Sequence, residues 1–262
     1  MNARDCARSI GAGVIAGAFG GLFGVGGGIF LIPLLTGWFA ATQHQAHGTS
    51  LAVIGATAIA SLVVYGANGN VDWTTAAFVG LASALTARYG ARLASRLSSA
   101  QLKRAFAVFL VLVALRMLWS AGAPAATAPA LAPAARFAFD VALGATVGLL
   151  AGFMGVGGGV LAVPAFTLLL GMPQPLAQGT SLAVILVTAP SGAWEHSRLG
   201  NVLWKLVGWL ALGAAVGALA SSVVAQRVPR DLLTRGFALF QIFNALHTWL
   251  RAGKPAAARP AR

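Results

Sequence analysis

Acidic residues are nearly missing. Aspartate and glutamate together number 5 in 262 residues, and the charged types make up only 9% of the chain. A soluble domain carries about a quarter. With 58% hydrophobic residues and a mean hydropathy of +0.81, a water-soluble fold of this size could not hide its apolar side chains. Disorder is excluded for the opposite reason, because it needs low hydrophobicity and high charge. Cysteine is scarce too. A lone Cys6 excludes an internal disulfide, a CxxC redox pair and a cysteine-based zinc cage.

Enzyme signals are also lacking. No GxxxxGKS or GxxxxGKT phosphate loop, HExxH helix or GxSxG elbow occurs. Gly11, Gly13 and Ala16 fit the alanine form of the dinucleotide fingerprint, but no strand precedes them and no βαβ unit surrounds them. His44 and His47 have no third metal ligand nearby. The chain therefore reads as no enzyme, and it calls for no cofactor and no metal. No A-x-A cleavage site follows MNARDCARSI, and many apolar segments come after it, so a secretory signal peptide is not expected.

Basic residues, by contrast, are plentiful. There are 18, for a net charge of +13. A nucleic-acid binder would gather them on one broad face. Here they fall in short clusters between apolar runs, as loop charges of a membrane protein do. Eight apolar stretches can be cut out, at about residues 10–40, 48–66, 72–93, 101–120, 137–170, 179–196, 201–224 and 231–250. Six have the length of a helix crossing a hydrocarbon core of ~30 Å. The first and fifth are too long, about 46 and 51 Å as straight helices at 1.5 Å per residue. The same glycine run interrupts both, so a broken helix or a re-entrant hairpin fits better than one long span.

The two halves are copies. Shifted by 131 residues, the sequence aligns with itself without a gap, and residues 13–73 against 144–204 share 25 identities in 61 positions. Chance in so biased a composition gives about 6. Gly24–Gly28 (GVGGG) matches Gly155–Gly159, and Pro33 matches Pro164. Gly48–Ile54 (GTSLAVI) matches Gly179–Ile185. Gly69, Asn70, Val71 and Trp73 match Gly200, Asn201, Val202 and Trp204. Residues 1–120 thus form a first membrane repeat and 137–250 a second. An alanine- and proline-rich linker covers 121–136, and a basic tail expected to be disordered covers 251–262. If all eight segments cross, 8 basic residues fall inside and 9 outside. If segments one and five turn back, the repeats are inverted, both termini lie inside, and the division is 13 against 4. The positive-inside rule prefers the second. The expected fold is an all-α polytopic membrane protein of eight hydrophobic helical segments in two inverted repeats, with segments one and five broken or re-entrant.

A break at a glycine run frees N–H and C=O groups that lipid cannot satisfy, at several kcal/mol each. The half-helix beyond it, expected to begin near Ile29, has a positive dipole end and spare donors. That makes a small anion nest at Gly26, Gly27 and Gly28, repeated at Gly157, Gly158 and Gly159. Close helix packing through small residues is the alternative. Pro33 and Pro164 are placed in the first turns, where a missing N–H costs little. Thr49 and Ser50, like Thr180 and Ser181, open an apolar segment as helix caps, as donors to the same anion, or both. His47 and its match Gln178 stand beside them. Tyr65 pairs with His196, Asn70 with Asn201 and Arg116 with His247. Glu195 is the one buried-looking carboxylate in the spans. With His196 it could relay a proton, and an ion pair with Arg198 at the boundary is the plainer alternative.

These runs resemble the TauE/SafE sulfite-exporter family of prokaryotic membrane proteins over about residues 10–250. They are GLFGVGGGIFLIPLL with HGTSLAVI and GNVDW, then GFMGVGGGVLAVPAF with QGTSLAVI and GNVLW. The resemblance implies a two-repeat permease of the cell inner membrane. Its substrates would be small sulfur-containing anions such as sulfite, sulfoacetate or organosulfonates, moved with coupling to the proton gradient. The family motif maps onto Gly24–Gly28, Pro33 and Gly48–Ser50 and their second-half equivalents. The expected partners are a small anion and the lipid bilayer, with a homodimer compatible and no nucleic acid. An anion channel and a non-transporting assembly or sensor protein remain open alternatives.

Overall fold

The computed structural model describes residues 3–94, 99–120, 132–154 and 157–252. Among them the chain forms ten α-helices: α1 (Ala3–Phe23), α2 (Gly28–Trp38), α3 (Gln43–Ala67), α4 (Trp73–Ala94), α5 (Ser99–Ser120), α6 (Pro133–Met154), α7 (Gly159–Leu169), α8 (Gln174–Arg198), α9 (Trp204–Arg227) and α10 (Arg230–Ala252). The expected segments one and five are each two helices, α1 with α2 and α6 with α7. Helix starts recur 131 residues on at Gly28 and Gly159, Gln43 and Gln174, Trp73 and Trp204, and Ser99 and Arg230. Five of the described helices, α1, α3, α6, α8 and α9, are long and apolar enough to cross a membrane.

Local chemistry sets the helix ends. A capping box starts α3: the Gln45 N–H donates to the Thr42 hydroxyl at 3.2 Å, and the Thr42 N–H donates to Gln45 Oε1 at 3.1 Å. Pro173 precedes α8, and a proline stands in its first turn. Both helices therefore begin five residues earlier than the apolar pattern suggests, and the Gly-Thr-Ser triplets lie inside them. Neither Thr49 nor Thr180 is a cap. Two further boundaries differ from expectation. Pro133 to Arg136 belong to the first turn of α6 rather than to a linker, and α10 runs on to Ala252. The rest of the linker, 121–131, and the tail from 253 lie outside the described residues.

Lipid gives no hydrophobic drive between helices, so small residues that let backbones touch hold a membrane bundle together. Gly13, Gly17 and Gly21 line α1 at a spacing of four and rest on α9. A Cβ on Gly17 would run into the Ala214 carbonyl, and one on Gly217 into the Val14 carbonyl. Gly144, Gly148 and Gly152 do the same for α6 against the carbonyls of Val79, Ser83 and Ala87 on α4. Residue numbers rise together along both seams, so α1 runs parallel to α9 and α6 parallel to α4. Each half's first helix thus packs on the other half's fourth.

At the centre α3 and α8 lie side by side in opposite directions. The Leu203 N–H, just beyond the end of α8, donates to the Thr49 hydroxyl near the start of α3 at 2.9 Å. The Asp72 N–H, just beyond the end of α3, donates to the Thr180 hydroxyl near the start of α8 at 2.9 Å. Ile54 and Ile185, halfway along, are fully buried. Stacked rings of Phe23, Phe30 and Phe240 join α10 to this core, and α5 packs on α10.

Candidate functional site

The first break is a hairpin. The Phe30 ring stacks on Phe19 with centroids 4.1 Å apart, whereas eleven residues of straight helix span about 16 Å. A Cβ on Gly27 would strike the Ala16 carbonyl, again eleven residues back. The turn needs left-handed backbone, with φ +75° at Gly26 and +79° at Gly27, which only glycine adopts freely. The second run repeats it, with φ +74° at Gly157 and +81° at Gly158. A Cβ on Gly158 would meet Val147 at 2.8 Å, once more eleven residues back. Gly155 lies outside the described residues. The half-helices begin at Gly28 and Gly159, one residue before expectation, with Gly27 and Gly158 as caps. In their first turns the Phe30 and Leu161 N–H groups bond back to the Gly27 and Gly158 carbonyls at 3.1 and 3.0 Å, and those of Gly28, Ile29, Gly159 and Val160 have no preceding turn to bond to.

The two runs touch each other. A Cβ on Gly159 would lie 2.7 Å from the Val25 Cα and 3.0 Å from the Gly24 carbonyl oxygen. One on Gly26 would lie 3.3 Å from both Ile54 and Ile185. The Ser50 hydroxyl donates to the Gly28 carbonyl at 3.4 Å, which ties α3 to the start of α2. Its match, the buried Ser181 hydroxyl, has no partner among the described residues. The expected glycine residues and both serines therefore gather where α3 crosses α8, closed from solvent and filled by an isoleucine pair. Thr49 and Thr180 belong to this region as latches on the opposite half's loop.

The prolines sit deeper than expected. Pro33 and Pro164 fall five residues past the helix starts, so each deletes a bond to the carbonyl four residues back. For Pro164 that carbonyl is Val160's, and Gln241 Nε2 of α10 donates to it at 2.8 Å. The matching position on α5 is the buried Leu110.

Two polar crossings flank the isoleucines. At one, the Tyr65 hydroxyl lies 3.0 Å from the Gly21 carbonyl and 3.0 Å from Gln178 Oε1, and a Cβ on Gly24 would sit 2.6 Å from the Gln178 Cα. Asn70 donates to Gln226 Oε1 at 2.5 Å. At the other, buried His196 faces the Gly152 carbonyl without closing a hydrogen bond. Glu195 beside it accepts from Arg92 Nε of α4 at 2.9 Å. His47 meets Gln43 at 2.9 Å, and His44 lies within electrostatic reach of His196. Among the described residues no three His, Cys, Asp or Glu side chains gather closely enough to hold a metal ion.

A family model described as Sulfite exporter TauE/SafE matches residues 3–117 and 139–262. The chain belongs to this family. A probable membrane transporter protein of Xylella fastidiosa (strain 9a5c) is 30% identical over 256 residues, covering 96% of this chain and 98% of that one. The probable membrane transporter protein YunE of Bacillus subtilis (strain 168) is 29% identical over 237 residues, 82% and 87% of the two chains. A third, MJ0441 of Methanocaldococcus jannaschii, is 29% identical over 188 residues, 69% and 68%. No solved structure matches the chain. Membership in the TauE/SafE family and its apolar helices make the chain a multi-pass membrane protein. Relatives named as transporters agree with a role other than catalysis.

Some residues of this TauE/SafE chain escape a reading of the sequence. Glu195 pairs with Arg92, not with Arg198. Nor is it the one buried carboxylate in the spans: Asp140 of α6 is 2% exposed. Arg136 Nε donates to Asp140 at 3.1 Å, and Arg136 Nη2 donates to the Thr75 hydroxyl at 2.9 Å. That hydroxyl donates in turn to Asp72, which caps α4. The spacing of four glycines along α1 and α6 was a usable signal for the seams. Nothing in the sequence links Arg92 to Glu195. Arg116 lies exposed on α5, and the side chain of its match His247 is outside the described residues.

Proposed function

We propose that this TauE/SafE chain is a secondary transporter of small sulfur-containing anions, such as sulfite, sulfoacetate or organosulfonates, across the cell inner membrane, with proton coupling. The observation that carries the reading is the meeting of two glycine breaks where equivalent helices cross. Each break turns a half-helix N-terminus, with its N–H donors and positive dipole end, toward the interior. Serine hydroxyls and the Gln178 amide stand beside them. Such neutral donors suit an anion that must also leave, since a buried lysine would hold it too tightly.

The antiparallel course of α3 and α8 supports inverted repeats, because copies related by an axis across the membrane run in opposite directions. The hairpins α1–α2 and α6–α7 then enter from opposite faces, both termini lie in the cytoplasm and the linker lies outside. Alternating access is one bundle rocking against the other about the isoleucine pair, which closes the path in the present state. The substrate residues are Gly26, Gly27, Gly28, His47, Ser50, Gly157, Gly158, Gly159, Gln178 and Ser181, with Thr49 and Thr180 holding the frame. Glu195 and His196 carry the proton.

The test is flux of labelled sulfite and sulfoacetate into proteoliposomes, against chloride, with and without an imposed pH gradient. Gly26→Ala is the informative variant. The atoms nearest its methyl belong to isoleucine side chains, from 3.3 Å, and left-handed alanine costs about 1–2 kcal/mol, so the variant is expected to fold. Gly27→Leu would strike the Ala16 carbonyl and report folding alone. Saturable, gradient-dependent flux of a sulfur anion, slowed in Gly26→Ala, supports the proposal. Chloride flux at channel rates, or no flux from folded protein, overturns it.

A further inference from the structure

The two crossings differ at every titratable position. His44, His47, Arg92, Glu195, His196 and Arg198 correspond, 131 residues away, to Pro175, Gln178, Val223, Val64, Tyr65 and Ala67. The backbone latches are the same at both, so the fold closes a crossing without an ion pair. The Arg92–Glu195 pair is therefore an addition to the scaffold. It is also lopsided: the Arg92 side chain is 54% exposed, and that of Glu195 only 10%. Nε lies 2.9 Å from Oε1 and Nη2 3.5 Å from Oε2, so the guanidinium already presents a planar fork to an oxyanion.

We propose that Arg92 exchanges Glu195 for the transported anion, and that this exchange couples anion to proton. It rests on the transport reading above. An anion arriving from water meets the exposed guanidinium first and takes the place of the carboxylate on it. A buried carboxylate that loses its guanidinium binds a proton far more readily. Glu195 takes that proton from water, with His196 adjacent to pass it inward. The step balances: one monoanion and one proton enter, one carboxyl O–H bond forms, and no net charge is added to the site. Among the described residues, the charged or titratable groups facing Glu195 are Arg92 from α4 and His196 and Arg198 from its own helix. α3 brings His44 within electrostatic reach of His196, and α6 brings the Gly152 carbonyl to it.

The experiment is initial-rate uptake of labelled sulfite by proteoliposomes, as a function of concentration and of imposed pH gradient. Glu195→Gln removes the carboxylate that competes with the anion for the Arg92 guanidinium. Its KM should fall roughly tenfold, the scale of one close charge pair, and its uptake should no longer respond to the gradient. Arg92→Gln should lose uptake, and Arg92→Lys should recover part of it with a raised KM. If Glu195→Gln does not fold, the double variant Arg92→Val with Glu195→Val copies the other crossing. It should fold and show no gradient-driven uptake. Wild-type uptake that follows the gradient, with KM and gradient dependence unchanged in Glu195→Gln or gradient dependence retained in the double variant, overturns the exchange alone. No uptake by wild-type protein overturns the transport reading, and the exchange with it.

Discussion

The two ends of the α3–α8 crossing share a backbone and differ in chemistry. At each, a glycine, Gly48 or Gly179, admits a loop carbonyl, from Asn201 or Asn70. At each, a threonine hydroxyl accepts the loop N–H at 2.9 Å. Around one stand Tyr65 and Gln178, around the other His196, His47 and the Arg92–Glu195 pair. The frame is what the two ends share, and the side chains are where they differ. The latch residues common to both ends therefore hold the fold, while the residues present at one end set its polar chemistry apart. The half-helices differ in the same way, since Gln241 answers the Val160 carbonyl and Leu110 stands at the matching place.

This comparison can be broken, most severely at the seams. Gly17→Leu and Gly148→Leu drive a side chain into the Ala214 and Ser83 carbonyls. Overpacking on that scale costs at least several kcal/mol, so most of the folded protein should disappear from size-exclusion profiles in both. Gly11→Leu, which meets nothing within 4 Å, should keep it. Unequal losses at Gly17 and Gly148 would show that the two seams are not equivalent.

Next in size is Gln241→Leu, which removes the donor to a buried carbonyl at about 1–3 kcal/mol. Its melting temperature should drop by several degrees. Leu110→Gln, which makes α5 resemble α10, should not restore it. The smallest effect is at the latches. Thr49→Val and Thr180→Val each delete one hydrogen bond, about 1 kcal/mol, and should lower the melting temperature alike. A large difference between them would mean that one end bears more of the fold.

Much of this architecture was legible in the sequence. The 131-residue shift, the two interrupted segments and the glycine-proline device all follow from local order, because a helix break needs its residues in one place. The GTS triplets were harder. An apolar run begins at Gly48, but the capping box at Thr42 starts the helix, and polar first turns hide helix starts from hydropathy. The latch role of Thr49 depends on Leu203, which is 154 residues away. Arg92 and Glu195 are 103 apart. Pairings of that range leave no mark in periodicity, and a charge near a segment end looks the same whether it is solvated or paired. Asp140 was missed for that reason, close to Arg136 and the start of its helix.

The proposed alternating access depends on the halves being inverted. The direct measurement is the accessibility of a tag at Ala126 in the linker and of one at the C-terminus, in intact cells and in inside-out vesicles. The account predicts opposite faces, with the C-terminus cytoplasmic and Ala126 outside. Both tags on one face would contradict it.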